Sequence, residues 1–210
     1  MKKRFLNDKL RIIFIFITII LAQSCGVVTS VPYEPIAFKK ETTKNGLIFG
    51  SITFPNEKAQ YNGYFIQMYR NDSIKKIANK NSIEIRFVPQ QIFKMKHDGQ
   101  LENGKTYLFT LEREEGNYNV SGLRLFNNYG YSTRESFIKN FNIRFDVKKG
   151  EIIYIGNIIF DESMLTDKHP VQLGKNLERD VEAIKILQPS VDWSRAIDNE
   201  NIKINYSIEK

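Results

Sequence analysis

Asn142-Ile143-Arg144-Phe145-Asp146-Val147-Lys148-Lys149-Gly150-Glu151-Ile152-Ile153-Tyr154-Ile155-Gly156-Asn157-Ile158-Ile159-Phe160 is the stretch on which the class of fold turns. Its first six residues alternate polar and apolar, the period of a strand with one buried face and one wet face. Lys148-Lys149-Gly150 reads as a turn. Ile152 to Phe160 is almost wholly apolar and rich in β-branched residues, which suits a central strand buried on both sides.

Similar runs recur on the N-terminal side: Leu47–Phe54, Tyr64–Tyr69, Ile83–Val88, Ile92–Lys96, Thr106–Leu111 and Tyr118–Phe126, separated by Gly, Asn, Asp or Pro. About eight strands at spacings near 8–12 residues predict an antiparallel β-sandwich or barrel. The last two runs are expected to form a hairpin around Glu114-Glu115-Gly116-Asn117. No stretch between the strands repeats at a helical period, which disfavours a parallel βαβ sheet.

The end of the chain changes character. Leu177, Val181, Ile184 and Leu187 recur at helical steps and predict one amphipathic helix over about residues 176–188. Asn176 is the expected N-cap, Glu178 and Asp180 suit the first turn, and Pro189 stops the run. So short a helix does not persist alone, so its apolar stripe is expected to pack on the sheet. Ile202 to Tyr206 is a candidate last strand.

Of the 210 residues, 41% are apolar, enough for a core, and 26% are charged. The net charge of +7 misleads: residues 1–24 hold Lys2, Lys3, Arg4, Lys9 and Arg11 against Asp8, which leaves +3 for the rest. That balance gives no reason to expect a nucleic-acid partner. The single cysteine, Cys25, excludes an internal disulfide and a cysteine-based zinc site.

The N-terminus reads as an address. Met1 to Arg11 is basic, and Ile12 to Ala22 is an apolar run too short for a comfortable bilayer span, which needs about 20 residues. Ala22-Gln23-Ser24-Cys25-Gly26 follows. This resembles the lipobox of bacterial lipoproteins, in which a small residue precedes the cysteine that receives diacylglycerol. The leucine usual three places before the cysteine is displaced to Leu21. Ala22-x-Ser24 also fits the ordinary signal-peptidase pattern, which would release a soluble protein. The resemblance implies a signal peptide over residues 1–24, lipidation at Cys25, and a membrane anchor through that lipid. With Gly26 next, and no acidic cluster in residues 26–30, it implies an outer-membrane anchor facing the periplasm. Residues 25–44, with Pro32 and Pro35 and little periodicity, are expected to be a tether. The β domain is expected over 45–210.

Tyr107-Leu108-Phe109-Thr110-Leu111, followed by Gly116-Asn117-Tyr118, resembles part of the transthyretin-like or carboxypeptidase-regulatory-like β-sandwich modules. Phe145 to Ile152 is similar to their penultimate hairpin. Tyr154-Ile155-Gly156-Asn157 resembles uncharacterised bacterial lipoproteins that join such a sandwich to a C-terminal helix. The resemblance implies a mainly β, Ig-like or prealbumin-like antiparallel sandwich with an accessory or binding role and no catalytic residues to carry over.

No serine-nucleophile elbow, phosphate-binding loop or dinucleotide glycine fingerprint is present. His97, in Lys96-His97-Asp98-Gly99, and His169, before Pro170, are expected in separate surface loops, so no metal and no cofactor are expected. Glu112, Glu114 and Glu115, and the pair Asp161-Glu162, are the carboxylates available for acid–base work on a glycan. Acids at such places are ordinarily solvated. Asn127-Asn128-Tyr129-Gly130-Tyr131-Ser132-Thr133-Arg134 has the composition of a recognition loop, with Tyr129, Tyr131 and Arg134 as contact residues. Tyr61 and Tyr64 could extend that face. The chain is thus expected to be a non-enzymatic envelope lipoprotein that binds a protein or a glycan. The alternatives are an envelope hydrolase with paired carboxylates and a structural spacer.

Overall fold

A computed structural model describes residues 35–73, 75–80, 82–87, 96–165 and 169–207. Signal peptide, Cys25 and the first part of the tether lie outside these, as does most of the strand expected at Ile92–Lys96.

The protein is mainly β, with two sheets stacked face to face and one longer helix near the C-terminus. The first sheet contains β1 (Asn45–Thr53), β4 (Thr106–Glu114), β8 (Ile152–Phe160), β9 (Val171–Gly174) and β10 (Ala196–Asp198). In the second are β2 (Gly63–Arg70), β3 (Ile83–Phe87), β5 (Gly116–Asn128), β6 (Thr133–Ile138), β7 (Phe141–Val147) and β11 (Ile204–Tyr206). A short helix α1 (Lys75–Lys80) joins β2 to β3, and α2 (Leu177–Leu187) lies between β9 and β10. No helix among the described residues is long and apolar enough to cross a membrane.

Two expectations about connectivity are corrected. The second sheet is antiparallel throughout, but in the first β8 runs parallel to both β1 and β10. β8 enters the first sheet beside β1 after the chain has passed through the second sheet, and from β8 the chain passes through β9 and α2 and returns as β10 in the same direction, a crossover that covers the sheet. Nor do β4 and β5 form a hairpin. β4 pairs with β1, whereas β5 pairs with β2, β6 and β7 in the other sheet. The Glu115–Gly116 turn carries the chain from one sheet to the other. The turn after β7 does the same, because β7 and β8 also belong to different sheets. Turn residues mark a reversal but not the sheet that receives the next strand.

The burial of β8 is as its composition predicts, because the first sheet is covered on both faces. Its inner face sends Ile153, Ile155, Ile158 and Phe160 into the core between the sheets, against Tyr64, Leu123, Phe145 and others. Its outer face presents Ile152 and Tyr154 to a second apolar cluster built with Ile184 of α2, Phe38 and Trp193. Gly156, at φ +106°, is a bulge that keeps inward residues inward on both sides of it. Part of the expected tether also belongs to this layer. Phe38 is buried, and the Ile36 amide donates a 2.8 Å hydrogen bond to Gln188 Oε1.

Candidate functional site

The hairpin of β5 and β6 closes at Tyr129–Ser132, where the Tyr129 amide donates to the Ser132 carbonyl. The segment read as a loop is therefore mostly paired strand: Asn127 opposes Arg134 and Asn128 opposes Thr133. Only the tip is free of the ladder. Tyr131 is 94% exposed there and Tyr129 49% exposed. Arg134 is exposed and makes no ion pair with the described residues.

The β1–β2 loop lies against this hairpin. The Asn128 amide donates a 2.9 Å hydrogen bond to Asn62 Oδ1, and the Asn62 amide donates to the Phe126 carbonyl. Tyr61 is thereby brought into the field of Tyr129 and Arg134. Its hydroxyl titrates above the ordinary range, chiefly through burial, then through Glu162 and Tyr129, with Arg134 opposing. Tyr61, Tyr129 and Arg134 thus lie near one another at one end of the sandwich.

Tyr64 does not extend that face, a correction to the expectation. It is fully buried, because it sits on the inner face of β2. Its hydroxyl donates to Glu162 Oε1 and accepts from the amides of Gln60 and Tyr61, each at 3.0 Å. The Gln60 amide also donates to Glu162 Oε1, at 3.1 Å. Burial raises the Tyr64 pKa, and the Glu162 charge adds to it.

Glu162 is not a solvated turn acid either. It is 3% exposed, and its Oε2 has no hydrogen-bond partner among the described residues. Asn56 lies near enough to favour its charged form, yet the Asn56 amide nitrogen is itself outside hydrogen-bonding geometry. Burial raises the Glu162 pKa, against the lowering effect of Tyr64 and the Gln60 amide. Its neighbour Asp161 faces elsewhere and caps a 3₁₀ turn, accepting from Ser163 N at 2.9 Å and Ser163 Oγ at 2.6 Å. The other acids are dispersed. Glu114 pairs with Lys80 at 2.6 Å and Arg70 at 3.4 Å, Glu112 accepts from Asn45, and Glu115 is exposed.

His97 is not a surface residue. It is 4% exposed, its ring stacked on Phe54 at 4.4 Å and 2°. The Tyr107 hydroxyl gives its proton to Asp98 Oδ1 and accepts from the Asp98 amide. His97 Nδ1, 3.3 Å away, is then the donor to that oxygen, which leaves Nε2 as a bare lone pair with no partner among the described residues. Burial pushes its pKa down to about 4. His169 is exposed, with its ring 3.9 Å from that of Tyr206. No group of three or more His, Cys, Asp or Glu among the described residues could hold a metal ion.

One buried polar cluster escaped the sequence reading. Asp180, on the first turn of α2, is completely buried and accepts from Ser51 Oγ at 2.6 Å and Tyr154 OH at 2.8 Å. Arg179 Nε donates to Asp180 Oδ1 at 2.8 Å, and its Nη1 reaches Glu102. Thr53 and Asn157 extend the network across the sheet. The signal was present: Asp180 stands three residues after Leu177 and four before Ile184, inside the apolar stripe. Asp180, Arg179 and Glu102 are joined by ion pairs, so the cluster fastens α2 to the sheet.

No family model matches the chain, and no curated protein matches it. Among solved structures, the chain is similar to a leucine-rich repeat protein from Bacteroides thetaiotaomicron, at 12% identity and a TM-score of 0.30 over 69% of this chain. The chain spans 16% of that protein's length. At that TM-score the likeness assigns neither a fold nor a role.

Proposed function

We propose that the chain is a lipid-anchored protein of the bacterial envelope whose folded body is a binding module, and that the β5–β6 hairpin tip is its contact surface. The observation that carries the reading is the convergence of Tyr61, Tyr129 and Arg134 beside the protruding Tyr131. Tyrosine offers rigid amphipathic contact at small entropic cost, and Arg134, with no ion pair among the described residues, keeps its fork of donors for a partner. The partner class is an envelope protein or a glycan presenting hydrogen-bond acceptors. The anchor is diacylated Cys25, in the outer membrane and facing the periplasm. Two acyl chains give stable attachment at about 0.8 kcal/mol per buried methylene. Replacing Tyr131 and Arg134 by alanine in the full chain is expected to abolish partner capture while leaving the fold and the anchor intact. Capture unchanged in both variants would remove the hairpin from the account. Mass analysis of the N-terminal peptide checks the anchor: an unmodified Cys25 would contradict it.

A second reading draws on Glu162. A buried carboxyl with a raised pKa and one bare oxygen, close to Tyr61, has the make-up of a general acid for glycan hydrolysis. Hydrolysis of envelope glycan that disappears in Glu162→Gln but survives in Tyr131→Ala would establish this chemistry in place of the binding role. A spacer predicts that neither variant changes any interaction or activity.

A further inference from the structure

The outer face of the second sheet carries a cleft of another kind, away from the hairpin tip. β5 has a bulge at Ser121, because Gln67 pairs with Gly122 while Met68 pairs with Val120. Up to Val120, β5 is bonded to β7, and from Leu123 onward it is bonded to β6. Where one partner gives way to the other, the ladder is open. A cleft of about 360 Å³ occupies the gap, lined by Gln67, Tyr69, Ser121, Lys139, Phe141, Asn142 and Ser207. That volume lies at the small end of the range for small-molecule sites.

The lining is chemically selective. It offers two amides, two hydroxyls and one ammonium group, with the 38% exposed ring of Tyr69 beside them. Asn142 Oδ1 is buried and has no hydrogen-bond partner among the described residues. The same holds for Oδ1 of Asn119, which stands cross-strand from Tyr69 and is 5% exposed. A buried acceptor left bare is costly, and a hydroxyl donor from a ligand removes the cost. Gln67 Nε2 is committed to Glu84 at 3.1 Å, which leaves its carbonyl oxygen for a second donor. Lys139 Nζ lies 4.8 Å from the ring centre of Phe137, itself 47% exposed.

We infer that this cleft binds one ring of a neutral saccharide, with the ring stacked on Tyr69 and its hydroxyls donating to Asn142 and Gln67. Bare carbonyl oxygens repel an anion, and a single lysine does not offset them, so phosphate and carboxylate ligands fit poorly. Polar walls equally disfavour an apolar ligand. A pyranose has both a ring of hydroxyl donors and an apolar C–H face, which matches amides beside an aromatic ring.

The test is a backbone-amide NMR titration of the purified full chain with chitotriose, maltotriose, soluble peptidoglycan fragments and inorganic phosphate. The expected result is shifts confined to the neighbourhood of Ser121, Lys139 and Asn142 with at least one of the saccharides. Affinity is expected to fall about tenfold or more in Tyr69→Ala and in Asn142→Ala, the loss of one good contact, while Ile186→Ala, at an exposed position on α2 over the other sheet, leaves it unchanged. Both replaced residues lie on the outer face, and a wild-type spectrum elsewhere shows that the variants are folded. Three results would overturn the inference: no shift with any saccharide, shifts with phosphate alone, or saccharide binding that both cleft variants retain. Loss of hairpin contacts in Tyr131→Ala with the cleft still occupied would separate the two sites.

Discussion

The hydroxyl of Tyr154 donates a 2.8 Å hydrogen bond to the carboxylate of Asp180, and so fastens α2 to a strand buried on both faces. Arg179, adjacent in sequence, balances the charge from the helix's more exposed side at 2.7 Å. Removing the acid leaves the buried Tyr154 hydroxyl without its acceptor and the partly buried Arg179 with Glu102 as its one remaining ion pair among the described residues. Asp180→Ala is expected to lose about 3 kcal/mol of stability, the low end for breaking a buried pair because Arg179 reaches solvent. Ser51→Ala is expected to lose about 1 kcal/mol, since it removes one donor while Tyr154 still serves the acid. Urea unfolding measures both. Equal losses would mean that the network is not centred on Asp180.

Burial of His97 makes stability depend on acid. Its folded pKa of about 4 lies below the ordinary 6.5, so the folded state binds fewer protons than the unfolded chain between those values. The contribution is complete above pH 6.5 and is lost as pH falls toward 4, about 3 kcal/mol in all. His97→Phe keeps the stack on Phe54 and leaves Tyr107 bonded to Asp98. It is expected to flatten this acid limb. A variant whose stability falls as steeply as the wild type's would show that other groups cause the acid sensitivity.

Glu162 acts with the opposite sign. Its pKa is raised by burial, so the folded state holds the proton longer than the unfolded chain. The stability it contributes is greatest below the ordinary carboxylate range and declines as pH rises through the raised value. Glu162→Gln keeps the acceptor for Tyr64 and Gln60 and cannot ionise. It is expected to be more stable than the wild type at neutral pH, with the advantage shrinking in acid. Thermal unfolding at several pH values reads this directly, and a variant less stable at neutral pH would mean that the charge is favourable in place.

At Gly156 the backbone has φ +106°, and a Cβ there would lie 2.6 Å from Leu173 Cδ1. Gly156→Ala is expected to cost about 2 kcal/mol or more, through strain and through crowding where β9 meets β8. A neutral result by urea unfolding would show that the bulge relaxes at little cost.

Much of the fold was legible because periodicity reports burial directly. Alternation at Asn142–Val147 and the apolar run at Ile152–Phe160 predicted a one-sided and a two-sided strand, and the stripe from Leu177 to Leu187 gave the helix. Pairing was less legible, because Glu114–Asn117 and Lys148–Gly150 mark turns without marking a change of sheet. The strands at Thr133–Ile138, Val171–Gly174 and Ala196–Asp198 are short edge pieces held by pairing more than by composition. At the site, Tyr129, Tyr131 and Arg134 were legible as an exposed tip because Asn, Gly and Ser surround them. The burial of His97 and Glu162 was not, since each is buried by segments distant in sequence, and polar neighbours hid it. The packing of Phe38 and Ile36 was masked by the prolines before them.

The central claim, that the hairpin tip is a contact surface of an anchored envelope protein, is tested most directly by photo-cross-linking in living cells from a reactive residue at position 131. The account predicts one discrete adduct, lost when Arg134 is replaced by alanine, on a product whose N-terminal peptide carries diacylated Cys25. No adduct at position 131, with the chain present and folded in the envelope, would contradict it.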